Sequence, residues 1–151
     1  MTTDKATAVY EVLSPWAEAD PVPQRGLTAE RPADLNGKTI AILGIAFKPK
    51  TDDIREAPSL VIIKQLQGLG VNIRAFDPVA EKNARKLFDE VIYTKNPYDA
   101  ADGADALIIC TEWDEFRQMD LVKLKKLLKQ PLLFDGRNVY EPKEMKKLGF
   151  N

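Results

Sequence analysis

The sequence contains no histidine and a single cysteine, Cys110. Without histidine there can be no Ser-His-Asp triad, no Cys-His dyad and no imidazole metal site built from this chain. One cysteine excludes an internal disulfide, a CxxC redox pair and a thiolate zinc cage. No apolar run approaches the roughly 20 residues that a membrane span needs, and no secretory leader is expected from the opening residues. Charge of one sign is also missing. The 22 basic and 23 acidic residues leave a net charge of −1, so there is no overall field to gather nucleic acid or an anionic membrane. Neither partner is expected, and the cytoplasm is the default compartment. At 151 residues there is room for one domain and a tail.

Residues 1–34 differ in texture from the rest. Four of the ten prolines, Pro15, Pro21, Pro23 and Pro32, fall among polar residues with no sustained period. This reads as an arm or linker, in which Val9, Tyr10, Val12, Leu13 and Trp16 can form one short strand or dock on the body. From Leu35 onward, short apolar runs alternate with amphipathic segments, and residues 35–151 read as a single domain. Thr39–Leu43 is a buried-type strand closed by Gly44. A long loop, Ile45 to Ala57, leads to a helix beginning at Pro58, with Leu60, Ile63 and Leu66 at helical spacing. Val71–Phe76 is the next strand, Val79–Phe88 a helix, Val91–Tyr93 a short strand and Pro97–Gly103 a brief helix. Ala104–Cys110 is the strongest central strand. Leu121–Lys129 is a helix with Leu121, Leu124, Leu127 and Leu128 on one face, Pro131–Phe134 closes the sheet, and Pro142–Leu148 is a last short helix. This alternation predicts an α/β, Rossmann-like doubly wound fold with a mainly parallel sheet of about five strands and flanking helices. Right-handed crossovers would put every strand's carboxyl end on one edge, where ligands bind in such folds.

A dinucleotide fingerprint needs GxGxxG between the first strand and its helix. This chain has Gly44-Ile45-Ala46-Phe47-Lys48 and then nine more loop residues, so any bound phosphate must draw on side-chain cations and on the helix amino end near Pro58 and Ser59. Lys48 and Arg55 are the candidates. Equally, Lys48, Lys50 and Arg55 can pair with Asp52, Asp53 and Glu56 on a solvated loop, and the residues alone do not separate the two readings. Asp52-Asp53 as a phospho-acceptor pair would require a further aspartate after the third strand, which ends instead in Tyr93-Thr94-Lys95. Asp77-Pro78 stands where such folds often place an acid on a ribose hydroxyl, but without the glycines a turn is the better reading. Cys110 reads as a buried thiol with no base to activate it. Trp113 and Phe116, one helical turn apart, read as packing against the sheet edge. Arg137 lies in the glycine-containing turn Asp135-Gly136-Arg137-Asn138, at the same sheet edge as Lys48. Two cations converging from separate loops suggest a small phosphorylated ligand.

The segments LNGKTIAILGIAFKPKTDDIREAPS, AFDP, GADALIICTEWDEF and FDGRN, in this order and spacing, resemble the carboxyl-terminal UDP-binding domain of the UDP-glucose/GDP-mannose dehydrogenase family, over about Leu35 to Phe150. The DGRN ending and the TDD-R-E-x-P-S loop are most similar to its UDP-glucose 6-dehydrogenase branch. The resemblance implies a UDP-sugar ligand, UDP-glucose or UDP-glucuronate, in an NAD-dependent oxidation of the sugar C6 alcohol to a carboxylate. It implies that Lys48 and the neighbouring Phe47 backbone hold the UDP part, that Arg137 is a further substrate contact, and that Arg55 reaches the NAD pyrophosphate. The family's GxGxxG domain, its central helical domain and its catalytic cysteine have no counterpart here. No catalytic residue is therefore expected on this chain, and turnover would need a partner chain that carries the NAD and central helical domains; a non-catalytic scaffold is the other alternative.

Overall fold

A computed structural model describes residues 34–151; the expected arm, with Trp16 and its neighbours, lies outside them. Five strands form one sheet: β1 (Thr39–Leu43), β2 (Asn72–Phe76), β3 (Ile92–Tyr93), β4 (Ala106–Ile109) and β5 (Leu133–Asp135). Their spatial order is β3-β2-β1-β4-β5 and every pairing is parallel. The strand order reverses between β1 and β4, which makes their carboxyl ends the topological switch point of a doubly wound sheet.

The strands are short continuous apolar runs because both faces of the sheet are covered. Along β1 the side chains alternate. Ile40 and Ile42 enter a core with Ile73, Ala75 and Ala106 beneath Ile63 of α1 (Pro58–Gly68), while Ala41 and Leu43 enter a second core with Leu107 and Ile109. The second core is closed by Ala100 and Ala101 of α3 (Pro97–Ala101), by Leu124 of α5 (Leu121–Leu127), and by Met145 of α6 (Pro142–Leu148). Leu121 and Leu127 pack half-buried beside Leu124 and Leu128, which is the apolar face expected for α5. No helix among the described residues is long and apolar enough to cross a membrane.

The elements follow the expected order but are mostly shorter, β4 covering Ala106–Ile109 rather than residues 104–110, and three further differences concern α2, α4 and β5. The helix expected over residues 79–88 is regular only as α2 (Glu81–Ala84). Its entry is shaped by the Asp77 side chain, which accepts the amides of Val79 and Ala80 at 3.0 and 2.8 Å and turns the chain there rather than letting it coil. Its continuation, residues 85–88, stays in hydrogen-bonded turns, among them Phe88 N to Ala84 O at 2.9 Å. A one-turn helix, α4 (Asp114–Arg117), forms where only packing was expected. Strand β5 starts two residues and ends one residue later than expected, so that Asp135 belongs to the ladder, opposite Ile109.

Candidate ligand site at the carboxyl edge of the sheet

The loop after β1 is built by contacts that arrive from two other strands. Gly44 adopts φ +84°, and a Cβ there would stand 2.5 Å from the Thr111 Cβ, so the position requires glycine twice over. Thr111, fully buried after β4, donates its hydroxyl to the Ala46 carbonyl at 2.6 Å. Asp77, 3% exposed at the end of β2, accepts the Ile45 and Ala46 amides on one oxygen at 2.7 and 3.0 Å, together with the Trp113 indole N–H at 3.3 Å. Its other oxygen takes the Val79 and Ala80 amides. Ser59 ties the amino end of α1 to the same loop through the Ile45 carbonyl at 2.6 Å. Asp77 is therefore the turn-former that the Asp-Pro pair suggested and, beyond that reading, a clamp, with both oxygens turned onto protein amides. The turn Gly44–Ala46 is closed against Thr111 and Asp77, and the glycine cradle of a dinucleotide is missing. These residues do not fit an NAD molecule bound in the usual mode of such sheets.

Beyond this clamp, Phe47 and Lys48 stand exposed. The Phe47 amide donates to the Asp53 carbonyl at 2.8 Å, which folds the loop back on itself, and the Phe47 side chain is half exposed. Lys50 and Glu56 hold left-handed backbone, with φ of 62° and 56°, at the two bends of the loop. Lys48 makes no ion pair among the described residues, and neither does Lys50. Arg55 behaves as the solvated-loop reading expected. Its guanidinium forks onto Asp53 at 3.0 and 2.8 Å, and that contact holds the Asp53 carboxyl down at about 2. Arg55 borders a hollow of about 580 Å³ with Thr51, Ile54, Asn83 and Leu87. Asn83 donates to the Asp52 carbonyl and carboxyl, so that carboxyl is engaged as well.

Arg137 lies elsewhere on the same edge. Its turn is set by Asp135, whose oxygens accept the Arg137 and Tyr140 amides at 3.0 and 2.9 Å, and by Gly136 donating to the Ile109 carbonyl at 3.1 Å. The guanidinium pairs with Glu112, on the loop after β4, through Nε at 2.5 Å and Nη2 at 2.7 Å. This contact draws the Glu112 carboxyl below its ordinary range. Arg137 borders an apolar cleft of about 480 Å³ with Pro58, Ile62, Ile108, Cys110 and Phe134, separate from the hollow beside Arg55. Only β4 lies between β1 and β5, so the strand ends from which the Lys48 and Arg137 loops leave the sheet stand about 10 Å apart.

Cys110, 8% exposed, has its thiol pushed up to about 12 by burial and contributes packing. Phe116 is fully buried and meets Phe76 edge to face at 6.2 Å, while Trp113 contacts both cores, in keeping with the packing roles expected of them. Two participants went unremarked in the sequence. Glu112 and Thr111 sit in a polar segment after a strand, and nothing local distinguishes them from ordinary loop residues.

The chain matches the UDP binding domain of the UDP-glucose/GDP-mannose dehydrogenase family over residues 41–142. It is 44% identical over 126 residues to a UDP-glucose 6-dehydrogenase of Rhizobium meliloti, covering 83% of this chain and 29% of that protein. It is 48% identical over 120 residues to a UDP-glucose 6-dehydrogenase of Pseudomonas aeruginosa, covering 76% and 26%. The chain thus spans between a quarter and a third of the length of these relatives. Among solved structures, the UDP-glucose dehydrogenase of Pyrobaculum islandicum superposes with a TM-score of 0.64 at 31% identity, covering 74% of this chain and 24% of that one. With the doubly wound sheet, the loop after β1 and the DGRN turn all in place, the chain belongs to the UDP-glucose/GDP-mannose dehydrogenase family and comprises its UDP binding domain.

Proposed function

We propose that residues 35–151 recognise a UDP-sugar, UDP-glucose or UDP-glucuronate, at the carboxyl edge of the sheet, with residues 1–34 as an arm or linker. Lys48 and Arg137 neutralise the diphosphate from opposite sides of β4, and the Phe47 main chain orients the nucleotide. What supports this reading is that two loops, each bearing a cation, leave the same edge of the sheet on strands one apart, with backbones separately clamped by Asp77 and by Asp135. A preset backbone lowers the ordering cost of binding a small anion. Curated relatives named UDP-glucose 6-dehydrogenase support the nucleotide and the sugar.

In this reading residues 35–151 position substrate, and the redox chemistry belongs to the family's NAD and central helical domains. NAD would supply the hydride acceptor, held by the NAD domain; a split subunit completed by a partner chain that carries the NAD and central helical domains is the alternative. Arg55, its side chain 86% exposed beside a hollow distinct from the Arg137 cleft, is the residue assigned to the NAD pyrophosphate. Cys110 is buried and keeps its proton, which makes it unsuited to covalent catalysis.

The test is calorimetric titration of the chain with UDP, UDP-glucose, GDP and NAD. Saturable binding of UDP and UDP-glucose is expected, weakened at least tenfold in both Lys48→Ala and Arg137→Ala, since a charge-assisted contact is worth about 1.5–3 kcal/mol. Folded wild-type protein that leaves millimolar UDP unbound would overturn the reading.

A further inference from the structure

The Arg137 guanidinium offers five N–H donors, and Glu112 engages two of them along a single edge, Nε and Nη2. The Nη1 donors have no partner among the described residues. Glu112 is itself rooted, because the preceding Thr111 is fully buried and its hydroxyl is bonded to Ala46, one residue before Phe47. A short chain of contacts therefore runs from the loop that bears Lys48, through Thr111 and Glu112, to the guanidinium on the β5 turn.

We propose that Glu112 is the positioning residue for Arg137: it grips the inner edge of the guanidinium and leaves the Nη1 edge to the diphosphate, in register with Lys48. This rests on the UDP-sugar reading above. Arginine is rich in rotamers, and its planar fork gives up little further freedom on binding once one edge is fixed. The rival arrangement has Glu112 occupying the place of a phosphate and competing with it. The two make opposite predictions, because deleting a nearby negative charge should by itself tighten the binding of an anion. Weaker binding after that deletion that vanishes once Arg137 is also removed is the mark of lost positioning.

The experiment compares the full 151-residue chain with Glu112→Ala, Glu112→Gln, Arg137→Ala and the Ala/Ala double variant, by calorimetry with UDP and with folding checked by thermal denaturation. Glu112→Ala should raise the Kd for UDP by about tenfold, the upper range for setting one long side chain free. Glu112→Gln, which keeps one acceptor oxygen, should fall between Glu112→Ala and the wild type. In the Arg137→Ala background Glu112→Ala should cause no further loss, and in uniformly labelled protein the Arg137 Nε–Hε signal should shift and broaden in Glu112→Ala without ligand. Unchanged or tighter binding by Glu112→Ala, with Arg137→Ala still impaired, overturns the positioning role and leaves the UDP-sugar reading standing. A loss that persists in full without Arg137 overturns it equally. Failure of the wild-type chain to bind UDP overturns both.

Discussion

Replacing Asp77 by asparagine changes one atom and tests how the ligand loop is held. In the native chain one oxygen accepts Ile45 N, Ala46 N and the Trp113 indole, and the other accepts Val79 N and Ala80 N. Asparagine has one acceptor oxygen and an NH2 group, so whichever way the amide turns, at least two main-chain N–H groups face a donor. Each buried donor left unpaired costs about 1–3 kcal/mol, which puts Asp77→Asn near 4 kcal/mol. That is a large share of the roughly 5–15 kcal/mol by which domains are stable. With a urea slope of about 2 kcal/mol/M, the unfolding midpoint should fall by about 2 M. Hydrogen exchange gives the local signature: the pair of amides that the new NH2 group faces, Ile45 and Ala46 or Val79 and Ala80, should lose protection while the β4 amides fall only with global stability. The amide should orient its oxygen toward Val79 and Ala80 or toward Ile45 and Ala46, and the exchange pattern tells which. A stability loss under about 1 kcal/mol would refute the clamp, because it would mean that water or a shift of the loop satisfies those donors at little cost.

Gly44→Ala should cost about 3 kcal/mol, combining a left-handed backbone with a Cβ forced against Thr111, and urea denaturation of the variant checks it. Cys110 should resist thiol reagents at pH 8 in the folded chain and react on denaturation. The unfolded thiol ionises near 9, whereas burial holds the folded one up at about 12, and Tyr93 is likewise raised to about 12 by burial. Above pH 9 the unfolded chain therefore binds fewer protons than the folded one, so stability should decline as pH rises from 9 toward 12. Urea midpoints measured across that window should slope downward, and less steeply in Cys110→Ala; a flat profile would contradict the burial argument.

What could be read from the sequence was whatever depends on near neighbours. The five strands, the helices that begin at Pro58, Pro97 and Pro142, and the leucine face of α5 follow from periodicity and breakers, because burial on both faces of a parallel sheet imposes apolar runs of strand length. Gly44, Asp77-Pro78 and the turn around Arg137 were legible as turn chemistry, and the cations Lys48, Arg55 and Arg137 as members of charged loops. Whether those cations were free or paired was not legible. Arg55 satisfies a carboxylate two residues away, which the sequence allowed but could not choose, and Arg137 meets Glu112 across 25 residues. Asp77 reaches the Ile45 amide across 32 residues, and Thr111 reaches Ala46 across 65. Contacts of that separation depend on which strands end side by side. The sequence by itself determined the elements and the kinds of side chain available at the sheet's carboxyl edge; only the tertiary structure decided that β4 lies between β1 and β5, bringing Glu112 onto Arg137 and Thr111 against Gly44, and so how the proposed site is held.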